Sequence, residues 1–278
     1  MTQIERINPD TLPTTNGAYT HIVRVGDWVY VAGQTAGDMD GSIVGVGDAT
    51  AQTKQVYRRL EKAMQAVGGS LKDIVLTKTY FTELDAWPLI SIARAGVYGP
   101  KPPTGTRVAI EGLARPEFIL EVEAVGYLGN SNRPGAGPAL GQGVGRTMAT
   151  KVEHLQPDGM TPNQNRYTHV VKVGPWVHIA GQVAADEHGN VVGKGDPKAQ
   201  VEQVFKNLER AVASVGGKLS DFVRTNAYVV GREHLDAIRA ARAGRFGDKP
   251  PTSTLLVVSG LAHPDFLLEI EGVAYVEG

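Results

Sequence analysis

The chain repeats itself. Tyr19-Thr20-His21 recurs as Tyr167-Thr168-His169, Ala32-Gly33-Gln34 as Ala180-Gly181-Gln182, and Lys101-Pro102-Pro103-Thr104 as Lys249-Pro250-Pro251-Thr252, always at the same offset (181 − 33 = 148). No gap is needed from Tyr19 to Tyr127, and about half of the aligned positions are identical, which a duplicated domain explains and a convergent pattern does not. The 278 residues therefore divide into a first domain over 1–128, a Gly/Pro-rich linker over 129–148 and a second domain over 149–278. The linker contains Asn130-Ser131-Asn132-Arg133-Pro134-Gly135-Ala136-Gly137-Pro138, a composition that cannot bury a core. As a flexible coil of about 20 residues it spans roughly 25 Å, enough for the copies to lie side by side.

Within one copy, apolar and β-branched runs at Thr20–Val25 and Trp28–Ala32 flank Gly26-Asp27, which predicts a hairpin; the matching turn is Gly174-Pro175. Val56, Leu60, Ala63, Met64 and Val67 fall at helical spacing over 51–67, and Gly68-Gly69 follows as a stop. A strand over 74–82, a second helix over 86–98 and closing strands over 106–112 and 118–127 complete the copy. The class is α+β: a mixed sheet with two helices packed on one face. Its other face is too apolar for water, so the domains are expected to close around a common core and the chain to form a homo-oligomer.

Composition excludes several classes. With 28 basic and 29 acidic residues there is no global field for nucleic acid or an anionic membrane, and no basic stripe interleaved with aromatics. There is no cysteine, hence no disulfide, thiolate metal site or cysteine nucleophile. No His/Asp/Glu cluster has metal-ligand spacing, so no metal is expected. Gly41, Gly45 and Gly47 lack the strand-to-helix context of a phosphate loop. Neither a signal pattern over 1–13 nor an apolar stretch of about 18 residues occurs, so a cytoplasmic location is expected.

Tyr-Thr-His, Val-Tyr-Val-Ala-Gly-Gln, the segment Ala-Val-Gly-Gly-Ser-Leu-Lys-Asp-Ile-Val and the closing Pro-Pro-Thr…Gly-Leu-Ala…Leu-Glu-Val-Glu-Ala-Val together resemble the RidA (YjgF/YER057c/UK114) family, across nearly all of both copies. The resemblance implies chorismate-mutase-like domains, trimers of domains and ligand clefts between neighbours. It also implies hydrolysis of enamines and imines such as 2-aminoacrylate to a keto acid and ammonia, without a cofactor. Such chemistry uses a guanidinium to grip the substrate carboxylate, a hydrogen-bonding network to position water for attack on the imine carbon, and a carboxylate near that water to help move protons.

Aligned on Pro103 and Leu113, the family's arginine position holds Gly105, and in the second copy Ser253. Arg107, two residues on, shares a strand face with that position, and its counterpart is Leu255. Arg107 reads either as a displaced carboxylate grip or as a strand arginine paired with Glu111 or Glu121. Glu121 and Glu269 match the family's cleft glutamate, and alternating glutamates also mark the polar face of any sheet edge. The catalytic pair expected is Arg107 with Glu121. Tyr19 and Tyr167 match a tyrosine brought from a neighbouring domain. Gly33-Gln34 and Gly181-Gln182 offer backbone donors or close packing, and His21 and His169 are a titrating pair or structural residues. Tyr19, His21, Gly33, Gln34, Tyr167, Gly181, Gln182 and Glu269 form the expected substrate-binding set.

The expected function is a RidA-like hydrolase of a small carboxylated substrate, assembled as a homotrimer of two-domain chains. A metabolite-binding protein without turnover and a chorismatase-like enzyme are the alternatives.

Overall fold

The computed structural model describes residues 4–15, 19–129, 150–164, 166–248 and 250–277. The expected linker lies, apart from Gly129, outside them. The first copy runs β1 (Ile4–Ile7), β2 (Ile22–Val25), β3 (Trp28–Gln34), α1 (Ala49–Ala66), β4 (Ile74–Phe81), α2 (Trp87–Ala93), β5 (Thr104–Ala109) and β6 (Leu120–Tyr127). The second repeats it: β7 (Val152–Leu155), β8 (Val170–Val173), β9 (Trp176–Val183), α3 (Pro197–Ala213), β10 (Phe222–Val230), α4 (Leu235–Arg242), β11 (Thr252–Val258) and β12 (Leu268–Tyr275). Each copy is a six-stranded mixed sheet, ordered β1-β2-β3-β6-β4-β5 and β7-β8-β9-β12-β10-β11, with only the β4–β5 and β10–β11 pairs parallel. Among the described residues no helix is long and apolar enough to cross a membrane.

The long helices form where the periodicity places them. Asp48 caps α1 through its carboxylate, accepting from the backbone of Thr50 and Ala51, and Asp196 does the same for α3. Val56, Leu60, Ala63 and Met64 of α1 are fully buried against the sheet. The second helix is shorter than the expected 86–98, because the chain turns at Gly96 with φ +74°. Strands β1 and β7 were not expected: Ile4-Glu5-Arg6-Ile7 is too short and charged to stand out, yet it pairs along β2.

The two copies pack against each other within the chain. The edge strand β5 lies on the second copy: Gly181 N–H donates to Thr106 Oγ1 at 3.1 Å, Thr168 N–H to the Pro103 carbonyl at 2.9 Å, and Ala109 exchanges backbone bonds with Gly260 and Ser259. Two apolar clusters fill the seam, one around Val75, Tyr127, Val171 and Val173, the other around Val108, Tyr228, Leu261 and Phe266. Most of β5 is consequently buried, whereas its counterpart β11 is mostly exposed.

Candidate active site

Arg107 sits on the edge strand β5. Its register partners are Thr79 on β4 and, through that strand, Val122 on β6, which is buried under the helices. Residues opposite one another in a sheet share a face, so the Arg107 side chain leaves on the helix side, where α2 places Trp87. Its guanidinium carbon lies 4.7 Å from the Trp87 ring centre and 5.4 Å from that of Tyr167, which belongs to the second copy. The cation is thus held between aromatic rings across the seam. Burial pulls the Arg107 pKa down, while Tyr167 and Glu269 hold it up.

Glu269 comes from β12, beside Tyr228 and Val183. Its carboxyl lies over Gly181, where a side-chain carbon would occupy the position of Glu269 Oε1. Gly33 and Glu121 repeat this arrangement in the first copy. The glycine of each Ala-Gly-Gln therefore makes room for a glutamate, and the Gly181 N–H is already taken by Thr106. Burial pushes the Glu269 pKa up to about 8 against the opposing effect of Arg107, and Glu271 adds to the rise. Glu269 is thus mostly protonated at neutral pH, a group able to donate a proton. A cavity of about 510 Å³ opens over Arg107, Arg166, Tyr167, Gly181, Phe266 and Glu269.

The structure brings Arg107, Tyr167, Gly181 and Glu269 together and separates Arg107 from Glu121. Glu121 pairs in register with Tyr80 and so points to the opposite face from Arg107. The carboxyl that shares a cavity with Arg107 is Glu269, and among the described residues neither Glu111 nor Glu121 makes an ion pair with Arg107. Glu121 instead lies with Gly33, Tyr19 and Arg59 on the first copy's own half-cleft, where Tyr19 is exposed. Burial raises the Glu121 pKa, as does Glu123, and Arg59 opposes them.

His21, His169, Gln34 and Gln182 stand behind the cleft, all buried. His21 Nε2 bonds the Pro13 carbonyl at 2.8 Å, with Nδ1 3.4 Å from the Gln34 amide; His169 repeats this with Thr161 and Gln182. Burial lowers both imidazole pKa values, consistent with neutral rings that anchor the loops before β2 and β8.

One arginine escapes a reading built on the strand motif. Arg94, at the end of α2, is buried and donates from Nη2 to the Arg166 carbonyl at 2.9 Å. A side-chain carbon at Gly105 would lie 3.6 Å from Tyr167 Cβ and 4.0 Å from Arg94 Nη2. The position of the missing strand arginine is therefore bordered by a guanidinium from the helix. In the second copy Arg242 Nη2 donates to Ser253 Oγ at 3.1 Å, at the equivalent position. The signal was present in the sequence, since Ala93-Arg94-Ala95-Gly96 recurs as Ala241-Arg242-Ala243-Gly244.

Comparison with known proteins matches two segments, residues 10–128 and 160–276, to the family described as endoribonuclease L-PSP. A RutC family protein of Pyrococcus horikoshii is 32% identical over 111 residues, covering 40% of this chain and 87% of its own length. One from Pyrococcus abyssi is 30% identical over the same span. Among solved structures, a chorismatase superposes on 91% of this chain and 76% of its own, with a TM-score of 0.67 at 18% identity. That likeness concerns the fold.

Proposed function

The chain belongs to the endoribonuclease L-PSP family, which includes the RutC and RidA/YjgF proteins, in two tandem copies, and on that premise we propose that it hydrolyses the carbon–nitrogen double bond of a small carboxylated imine. One observation carries the reading: a guanidinium from the first copy, Arg107, and a carboxyl from the second, Glu269, face one cavity. The guanidinium holds the substrate carboxylate, its planar fork matching two oxygens. Glu269, protonated, gives its proton to the imine nitrogen as water forms the new C–O bond and the C=N π bond opens. The first proton of that water passes to the Glu269 carboxylate, which delivers it to the amine nitrogen, and the remaining hydroxyl proton then returns to the carboxylate as the C–N bond breaks, releasing ammonia and leaving a keto acid. Nucleic acid is disfavoured as substrate by the balanced charge of the chain.

The test supplies 2-aminoacrylate, generated in situ by a pyridoxal-phosphate dehydratase, and follows keto acid release above the uncatalysed rate. Acceleration is expected in the native protein and lost in Arg107→Ala and Glu269→Gln. Acceleration that survives both substitutions defeats the reading.

A further inference from the structure

The cleft holds more positive charge than one carboxylate can use. Arg107 and Arg166 both line it, and Glu269 is the one carboxyl among its lining residues. Arg94 stands directly behind, its guanidinium carbon 5.9 Å from the same Trp87 ring that Arg107 covers at 4.7 Å. Arg94 and Arg166 are close enough to Arg107 that each disfavours its charge. Among the described residues none of the three makes an ion pair with a carboxylate. Like charges gathered at a partly buried seam repel, and a cluster left uncompensated by the protein attracts an anion of matching charge.

From this juxtaposition we propose that the cleft takes a dicarboxylate: one carboxylate on Arg107 beside Glu269, the second on Arg166 at the rim, with Arg94 backing both. This rests on the reading of the cleft as a carboxylate-binding hydrolase site and adds the substrate class. The cavity of about 510 Å³ is large enough for a small dicarboxylic acid. The arrangement is confined to the in-chain cleft, because Leu255 replaces Arg107 on the other edge strand.

The test is calorimetric binding of two matched pairs, propionate against succinate and butyrate against glutarate, to the full chain. A second charge-assisted contact predicts that each dicarboxylate binds about tenfold more tightly than its monocarboxylate partner. Arg166→Met, at an exposed position, should erase the preference and leave monocarboxylate binding intact, whereas Arg107→Met should weaken both classes. Equal affinity for both classes, or a preference that survives Arg166→Met, overturns the proposal. Monocarboxylate binding that depends on Arg107 without any dicarboxylate preference removes this inference alone. If neither class binds and Arg107→Ala leaves turnover unchanged, the hydrolase reading falls with it.

Discussion

Lys78 Nζ, on the first copy's β4, lies 2.6 Å from Glu271 Oε1, on the second copy's β12, with both side chains less than a tenth exposed. Asn226 Nδ2 and Tyr228 Oη donate to the same oxygen at 2.7 and 3.3 Å. Asn226 is the repeat counterpart of Lys78, so duplication has been followed by divergence that keeps a lysine at this position in the first copy alone, with neighbours that satisfy its partner. The relation is directional: first copy to second.

Removing that lysine should uncouple the copies. Lys78→Met leaves a buried carboxylate without its cation, an error that costs roughly 3–5 kcal/mol. Denaturant titration should show a loss of that order, and Lys78→Met combined with Glu271→Met should recover most of it. A double variant as unstable as the single one would show that the pair is not what joins the seam.

The pH dependence should follow Glu269. Its pKa stands at about 8, above the ordinary carboxylate range, so the folded state keeps a proton that the unfolded chain releases. The contribution of this group to stability should therefore be fully present below the ordinary carboxylate pKa and be lost as pH rises towards about 8, then level off. Turnover that uses the carboxyl as proton donor should decline through the same upper limit. Glu269→Gln should remove the turnover and flatten this part of the stability profile; an unchanged profile would assign the titration elsewhere.

The glycines give a test with an internal control. Gly181→Ala puts a carbon where the Glu269 carboxyl lies, and Gly33→Ala does the same to Glu121. Because the in-chain cleft uses Glu269, Gly181→Ala should cut turnover by about 100-fold, the scale of a misplaced catalytic group. Gly33→Ala should leave turnover at this cleft nearly intact. Equal losses would mean that the two clefts work as one, or that both changes act on folding.

The sequence made the architecture legible because a repeat at a fixed offset carries its own check: each amphipathic helix and each hairpin is read twice. It also names Arg107, Tyr167, Gly181 and Glu269, which the fold gathers around one cavity. What it did not show was which glutamate faces Arg107, since that depends on sheet register and on packing between copies, neither of which is local. Glu121 is nearer in the chain, and the pleat sends it to the other face. For His21 and His169 the sequence leaves a titrating and a structural role open, because a histidine's type says nothing of burial; in the fold their nitrogens are occupied by a carbonyl and an amide. Arg94 lies at a helix end, outside the strand motif that carries Arg107, so its nearness to Gly105 depends on how the helix packs.

The seam inside the chain also argues for what lies outside it. β5 is covered by the second copy, but β11, at the same place in the repeat, exposes Thr252, Ser253, Thr254, Leu256 and Val257. Tyr19 of the first copy is about half exposed, beside the half-cleft of Gly33 and Glu121. An apolar edge strand left open invites pairing, and a head-to-tail contact repeated between chains can close into a ring. We therefore propose that β11 of one chain docks on the first copy of another, repeating the in-chain seam. Sedimentation should find an assembly larger than the 29.6 kDa chain, and Leu256→Asp with Val257→Asp should dissociate it. Because the in-chain cleft is built without β11, the dissociated variant should retain turnover. A native protein that sediments as a single chain at micromolar concentration would refute the docking, and turnover lost on dissociation would show that the cleft depends on a neighbouring chain.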